Sequence, residues 1–320
     1  MPITFIFHIA QDISTKIDKR MAEHKQIVPS NWRSCFRDDL FKNKIALVTG
    51  GGTGIGRSIS VELALLGATV VIASRSVDKC EKTAKEINAL LKNSTAGGRV
   101  VVGPSTNIRK EEEIQNLIEH IVEKYGALNM LVNNSGGQFI QESAEISRRG
   151  FAAVVETNLQ GTFLMMREAY NQYMRDNGGA IVNITIGNRN GMPGMMHSAA
   201  ARAGIENMTA SLCTEWIESN VRINCVRPGI VYTDSGFENY GPAGEYFIGK
   251  ITKSLPARRL GSSQEVSSAV AWLLSEGASY VTGSTICVDG GGSYVGLPLI
   301  EIEDKSHLSV YGDLPPRAKL

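Results

Sequence analysis

The sequence lacks any run of apolar residues long enough to cross a bilayer, so no membrane-spanning helix is expected. It also lacks charge of one sign. Its 320 residues carry 33 Lys and Arg against 32 Asp and Glu, a formal net charge of +1. That balance advertises neither a nucleic acid nor an anionic membrane surface as partner. Cysteines are few, odd in number and scattered: Cys35, Cys80, Cys213, Cys225 and Cys287. No two form a Cys-x-x-Cys pair, and the pattern fits reduced structural thiols in an intracellular protein. The short apolar stretch at residues 3–10 has no basic residues ahead of it, so no secretory leader is expected. There is no internal repeat and no low-complexity tract.

What is present is enough apolar material, 42% of the chain, for one α/β domain with a large core or for two smaller ones. Residues 1–42 are polar and charged, and read as an N-terminal extension with a helix near 13–24; Met21 offers an alternative start. From Lys44 the pattern changes. Apolar runs at 45–48, 70–73, 100–102, 130–132, 180–184, 222–226 and 285–288 alternate with helical segments such as 54–66, 79–91 and 111–125. Short buried runs separated by helices predict βαβ units, hence a doubly wound parallel sheet covered on both faces. A single domain spans residues 43–296. A polar tail, 297–320, contains Pro315–Pro316 and is expected to be loose.

The first apolar run leads directly into Thr49-Gly50-Gly51-Gly52-Thr53-Gly54-Ile55-Gly56 and then a helix. Glycines let the backbone approach a pyrophosphate, and the helix N-terminus adds unpaired N–H groups and the positive end of its dipole. A glycine-rich turn alone is weak evidence, but here a strand precedes it and a helix follows. The segment predicts dinucleotide binding on a Rossmann-type fold. The second run ends Ala73-Ser74-Arg75-Ser76, without the Asp or Glu that commonly binds a ribose 2′-hydroxyl about 20 residues past the glycines. An arginine between two hydroxyls suits a 2′-phosphate, so NADPH is the expected cofactor.

The spacing Thr-Gly-x-x-x-Gly-x-Gly resembles that of the short-chain dehydrogenase/reductase family, and further marks follow in order. Thr106-Asn107-Ile108 stands where that family borders the adenine, and Asn133-Asn134-Ser135-Gly136 is similar to its turn after the fourth strand. Asn158 matches the helix asparagine that orders a water near the active site. Pro228-Gly229-Ile230-Val231-Tyr232-Thr233 matches the motif flanking the nicotinamide, and Asp289-Gly290-Gly291 the turn after the last strand. The resemblance covers about residues 40–295, and implies cofactor contacts by these segments and a homo-oligomer.

The family's catalytic Tyr-x-x-x-Lys is missing where it belongs. The helix reads His197-Ser198-Ala199-Ala200-Ala201-Arg202-Ala203-Gly204, placing Ser198 and Arg202 at the tyrosine and lysine positions. A formal match, Tyr246 to Lys250, lies after the Pro-Gly motif and is read as coincidence. Fatty enoyl-CoA and dienoyl-CoA reductases of the family share this departure. Residues 133–139, 156–159, 197–204 and 238–241 resemble the peroxisomal trans-2-enoyl-CoA reductases. Residues 39–44 and 183–191 are similar to the 2,4-dienoyl-CoA reductases. The chain ends Ala318-Lys319-Leu320, like a carboxy-terminal peroxisomal address read by an import receptor. The resemblance implies a fatty acyl-CoA substrate and a peroxisomal enzyme.

Reducing an enoyl thioester places charge on the thioester oxygen, which fixed donors must hold. No proton need be delivered to a nascent alkoxide, so a lysine-tuned tyrosine is less necessary. Ser198 offers a hydroxyl, or is merely small enough to make room for CoA. Thr185 ends the fifth strand near the family's active-site serine. Arg202, one helical turn beyond Ser198, is placed to hold the nicotinamide ribose as the family's lysine does. Glu206, a further turn on, either restrains Arg202 or acts as an acid, the first being preferred. Tyr170, Tyr173 and Tyr232 are further candidate acids, and His197 is expected to pack rather than react. Arg148, Arg149, Arg258 and Arg259 either bind CoA phosphates or are solvated. The expected activity is NADPH-dependent reduction of trans-2-enoyl-CoA. The alternatives are a 2,4-dienoyl-CoA reductase, a carbonyl reductase, which the missing signature disfavours, and a catalytically inactive NADP-binding protein.

Overall fold

A computed structural model describes residues 34–187, 189–233, 252 and 255–295. The expected N-terminal helix near 13–24, the tail and its terminal tripeptide, and the stretches 238–241 and 246–250 lie outside the described residues.

Seven parallel strands form one sheet: β1 (Ile45–Thr49), β2 (Thr69–Ala73), β3 (Arg99–Val102), β4 (Met130–Asn133), β5 (Gly179–Ile184), β6 (Val221–Pro228) and β7 (Thr285–Val288). The spatial order is β3-β2-β1-β4-β5-β6-β7. Winding reverses between β1 and β4, which pair Ala46 to Met130, Leu47 to Leu131 and Val48 to Val132. In open α/β sheets the crevice past the carboxyl ends of strands at such a reversal is where ligands bind. Here those ends are Thr49 and Asn133.

Alternate residues along each strand face opposite sides, so buried runs feed two cores. Ala46, Val48, Val70, Ile72, Val132 and Val182 pack with α1 (Gly54–Leu65), α2 (Val77–Leu90) and a later helix, Ser263–Leu274. Leu47, Val71, Leu131, Ile181 and Ile223 pack on the other face with α3 (Glu111–Tyr125) and residues of 161–174. Burial of both faces is what makes a parallel sheet of Val, Ile and Leu stable; each fully buried side chain contributes about 1.5–3 kcal/mol relative to exposure. Phe41 is also buried, and its N–H donates to the Leu66 carbonyl, so residues just before β1 pack onto the domain.

Helix α4 (Arg148–Val155) is capped by Ser147, whose hydroxyl accepts from the Gly150 N–H. It widens into a π-helical turn at Glu156–Gln160 before α5 (Gly161–Ala169). Such π turns inside helices recur at functional sites, and this one carries Asn158. The long helix α6 (Met196–Glu215) follows β5, and α7 (Ser263–Leu274) opens with a capping box between Ser262 and Glu265. Among the described residues no helix is long and apolar enough to cross a membrane.

Candidate functional site

The strand β1 delivers Thr49 to the switch point, where its hydroxyl ties the two sides together. Thr49 Oγ1 accepts from the backbone N–H groups of Asn134 and Ser135, both at 3.0 Å. The Asn134 carboxamide donates back to the carbonyls of Thr49 at 3.0 Å and Gly50 at 3.3 Å. This knot closes the glycine-rich loop against the turn after β4. Gly56 lies so close to the Gly50 carbonyl and the Asn134 amide that a Cβ there would collide with both. Helix α1 starts at Gly54 with no side-chain cap from Thr53 and no acidic residue in its first turn. Its N–H groups and dipole are therefore left for an anion, and the residues present fit a pyrophosphate.

At the end of β2, Ser74 Oγ accepts from the Ser76 N–H at 3.1 Å and sits 3.3 Å from Cys80 Sγ. Arg75 is exposed, and among the described residues nothing pairs with its guanidinium. No acid stands among residues 73–76, and Asp78 follows in the first turn of α2. Asn107 is pinned at the next strand end: its N–H donates to Glu113 at 2.7 Å and its Oδ1 accepts from the Arg109 N–H at 3.1 Å. On the opposite side, the Gly229 N–H donates to the Val288 carbonyl. Val231 bridges to Gly261, which fixes the Pro228–Thr233 segment expected beside the nicotinamide.

The start of α6 adds a cluster built from side chains. Ser198 and Arg202 share a face of α6, and Arg202 Nη1 donates to Ser198 Oγ at 2.6 Å. Gln138, on the loop after β4, joins them: its Oε1 accepts from Ser198 Oγ at 3.1 Å and from Arg202 Nη1 at 3.3 Å. Arg202 is buried, and no carboxylate among the described residues pairs with it. Desolvation pushes its pKa down to about 10, which leaves it cationic at neutral pH. Gly136 makes this possible, because a Cβ there would occupy the space of the Arg202 guanidinium. Asn158, also buried, clamps the same loop: its Oδ1 accepts from the Gly137 N–H and its Nδ2 donates to the Gly137 carbonyl, each at 2.9 Å. Its carboxamide thus fixes backbone.

Two expectations are corrected. Glu206 does not restrain Arg202. Its carboxylate is held by Arg227 of β6, through Nε at 2.9 Å and a second contact from Nη2. The closer cation comes from the adjacent strand, and the pairing holds the Arg227 pKa above its ordinary value. Thr185 donates to Glu206 Oε1 at 3.0 Å, so its hydroxyl is committed to this ion pair. Tyr170 is not near the cluster either. It stacks on Trp216, centroids 4.1 Å apart, and its hydroxyl meets Ser219 Oγ. At 1.5 Å per residue, Trp216 lies about 27 Å along the helix axis from Ser198. Arg259 is bound by Glu265, whereas Arg148 and Arg149 stand exposed in the first turn of α4. Gln138 was missed as a site residue; the signal was a polar side chain directly after two glycines in the β4 turn. His197 is fully buried, as a packing residue should be.

A glycine loop feeding an uncapped helix at the sheet's switch point, with a buried cation across the crevice, defines a nicotinamide-dinucleotide oxidoreductase of the Rossmann type. The comparisons with known proteins narrow this. A family model described as enoyl-(acyl carrier protein) reductase matches residues 50–293. The chain belongs to the short-chain dehydrogenase/reductase family. It is 34% identical over 262 residues to a peroxisomal 2,4-dienoyl-CoA reductase ((3E)-enoyl-CoA-producing) of Pongo abelii, covering 81% of this chain and 87% of that one. It is 31% identical over 276 residues to the protein of that name in Saccharomyces cerevisiae, covering 85% and 91%. Among solved structures, a citronellol catabolism dehydrogenase of Pseudomonas aeruginosa is 42% identical with a TM-score of 0.71, covering 82% of this chain and 100% of that one.

Proposed function

We propose that the protein is an NADPH-dependent reductase of the 2,3 double bond of trans-2-enoyl-CoA in fatty acid metabolism. The observation that carries this reading is the Arg202–Ser198–Gln138 cluster standing where the family keeps tyrosine and lysine. It offers hydrogen-bond donors around a buried positive charge, and none of its three side chains is a phenol. That suits an oxygen on which negative charge develops and which needs no proton delivered to it.

The residues would divide the work as follows. Gly50, Gly52, Thr53, Gly54, Ile55 and Gly56 with the α1 N-terminus would hold the pyrophosphate. Ser74 and Arg75 would take the 2′-phosphate. Asn107 would border the adenine, while Ser135, Gly136, Pro228, Gly229, Val231 and Thr233 would line the nicotinamide side. NADPH, when bound, supplies the hydride for the substrate β-carbon. Ser198 turns its hydroxyl from Gln138 to the thioester oxygen and shares the developing enolate charge with Arg202. The guanidinium has five N–H donors, enough to serve Ser198 and the nicotinamide ribose together. The Gln138 amide has no acceptor of its own among the described residues, so its N–H groups are free for the thioester. Arg148 and Arg149, exposed beside the loop that carries Gln138, would meet CoA phosphates.

A second reading, a 2,4-dienoyl-CoA reductase, is favoured by the names of the relatives. An enolate-type oxygen site serves both, since a conjugated dienoyl thioester delocalises charge onto the same oxygen. The relatives' names and the terminal Ala318-Lys319-Leu320 support peroxisomal import through the receptor for that address; deleting Leu320 should leave the protein in the cytosol. A homo-oligomer is expected from the family resemblance.

The test is NADPH oxidation with trans-2-enoyl-CoA, 2,4-dienoyl-CoA and 3-ketoacyl-CoA side by side. Activity on the first supports the proposal. Activity confined to the second moves the assignment to the dienoyl reductase, and activity confined to the third overturns the enolate argument. Tight NADPH binding with no turnover points to a non-enzymatic role.

A further inference from the structure

His197 is fully buried, yet neither ring nitrogen has a hydrogen-bond partner among the described residues. Burial lowers its pKa and keeps the ring neutral. A core histidine ordinarily satisfies at least one nitrogen. What this one makes is a ring contact: Phe139 packs on it with centroids 4.3 Å apart and planes tilted by 42°.

The place of that contact matters. Gln138 meets Ser198, and the next residue along the loop, Phe139, meets the residue just before Ser198 on the helix. The two pairs form successive rungs between the β4 loop and the start of α6. Phe139 is also boxed from the α4 side, where a Cβ on Gly150 would come within 3.0 Å of its Cζ. The loop is further tied by Gln141, whose N–H donates to the Gly194 carbonyl at 2.9 Å, and by the Asn158 clamp on Gly137. Gln138 itself is on the exposed side of this loop. Its only described contacts are with Ser198 and Arg202, so its position depends on its neighbours.

We propose that His197 is a positioning residue: its ring, packed against Phe139, places Gln138 for its work with Ser198 and Arg202. The ring acts as an aromatic surface; its nitrogens are not required. This rests on the reading that Gln138 contributes to acyl-CoA reduction.

The experiment measures kcat, KM and NADPH Kd for full-length His197→Ala, His197→Phe, Phe139→Ala, Gln138→Ala and His197→Ala/Gln138→Ala, on whichever of trans-2-enoyl-CoA and 2,4-dienoyl-CoA turns over. Misplacement of a catalytic donor predicts a kcat loss of about tenfold or more for His197→Ala and Phe139→Ala, with NADPH Kd unchanged. His197→Phe should restore kcat to within about twofold, since ring packing is kept. On the Gln138→Ala background, His197→Ala should add less than about twofold, because residues acting through one group are not additive. Normal kcat in His197→Ala overturns the proposal, as does a His197→Phe as impaired as the alanine variant. Full additivity with Gln138→Ala overturns it too, for then His197 acts elsewhere. If His197→Ala fails to fold, Phe139→Ala decides in its stead: normal kcat there overturns the proposal. Gln138→Ala at the wild-type rate removes both this proposal and the role given to Gln138. An impaired Gln138→Ala beside normal His197 and Phe139 variants removes this proposal alone.

Discussion

Two arginines, one on α6 and one on the strand beside it, live under opposite conditions. Arg227, on β6, meets the Glu206 carboxylate with two nitrogens, and that pairing raises its pKa. Arg202, on α6 itself, is more deeply buried and among the described residues has only a hydroxyl and an amide oxygen as partners, and its pKa falls to about 10. A buried cation with a carboxylate is balanced within the protein; one without is costly to keep. The difference fits a structural place for Arg227, and fits the role proposed for Arg202 as the cation that meets charge arriving with a ligand or developing during reaction.

Breaking each arginine in turn should therefore give opposite signatures. The largest effect expected is on Arg202→Ala. Turnover should fall by roughly 10²–10³, as for loss of an oxyanion donor, and NADPH should bind more weakly, while the melting temperature holds or rises because an unpaired buried charge is gone. Arg202→Lys should keep much of both functions, the fork and the point charge being only partly interchangeable. Steady-state kinetics and calorimetric melting check both variants. Arg227→Ala should do the reverse. It strands a half-buried carboxylate and should cost about 3 kcal/mol in urea unfolding, with kcat of the folded fraction close to wild type.

Sharpening the comparison needs an exposed arginine as control. Arg75→Asp removes the proposed 2′-phosphate partner and adds repulsion, so the NADPH/NADH ratio of kcat/KM should drop by about tenfold or more; equal use of both cofactors by the unmutated protein would contradict the assignment. Thr185→Val is the smallest change. It deletes one hydrogen bond to an ion pair that persists without it, so stability should fall by about 1.5–3 kcal/mol, and the NADPH Kd should not change.

The central strands were legible in the sequence because strands buried on both faces read as largely apolar runs, and the partly buried edge strands β3 and β7 because their short runs stood between helices. The reading stopped short where the apolar runs end: Thr49, Asn133 and Arg227 with Pro228 each extend a strand past its run. These are the carboxyl ends at the crevice, where the chain exchanges packing residues for functional ones. The glycine loop was legible for a related reason, since its chemistry is carried by adjacent backbone atoms. The Arg202 cluster was only half legible. The i,i+4 rule placed Ser198 and Arg202 on one face, but it also favoured Glu206 as partner to Arg202, because spacing along a helix is blind to a strand such as β6. Gln138 escaped notice, and so did the ring that His197 packs on, because these contacts join segments separated by some 60 residues. Nothing local in either segment announces that meeting.

In the proposed mechanism the Arg202 cluster stabilises charge on a thioester oxygen while hydride reaches carbon. The most direct test is to run the reaction with NADPH deuterated at C4 and locate the label in the product by mass spectrometry and NMR. With trans-2-enoyl-CoA the account predicts deuterium on the β-carbon and a solvent-derived hydrogen on the α-carbon of a saturated acyl-CoA. Deuterium found only on the carbinol carbon of a hydroxyacyl-CoA, from a ketone substrate, would contradict it.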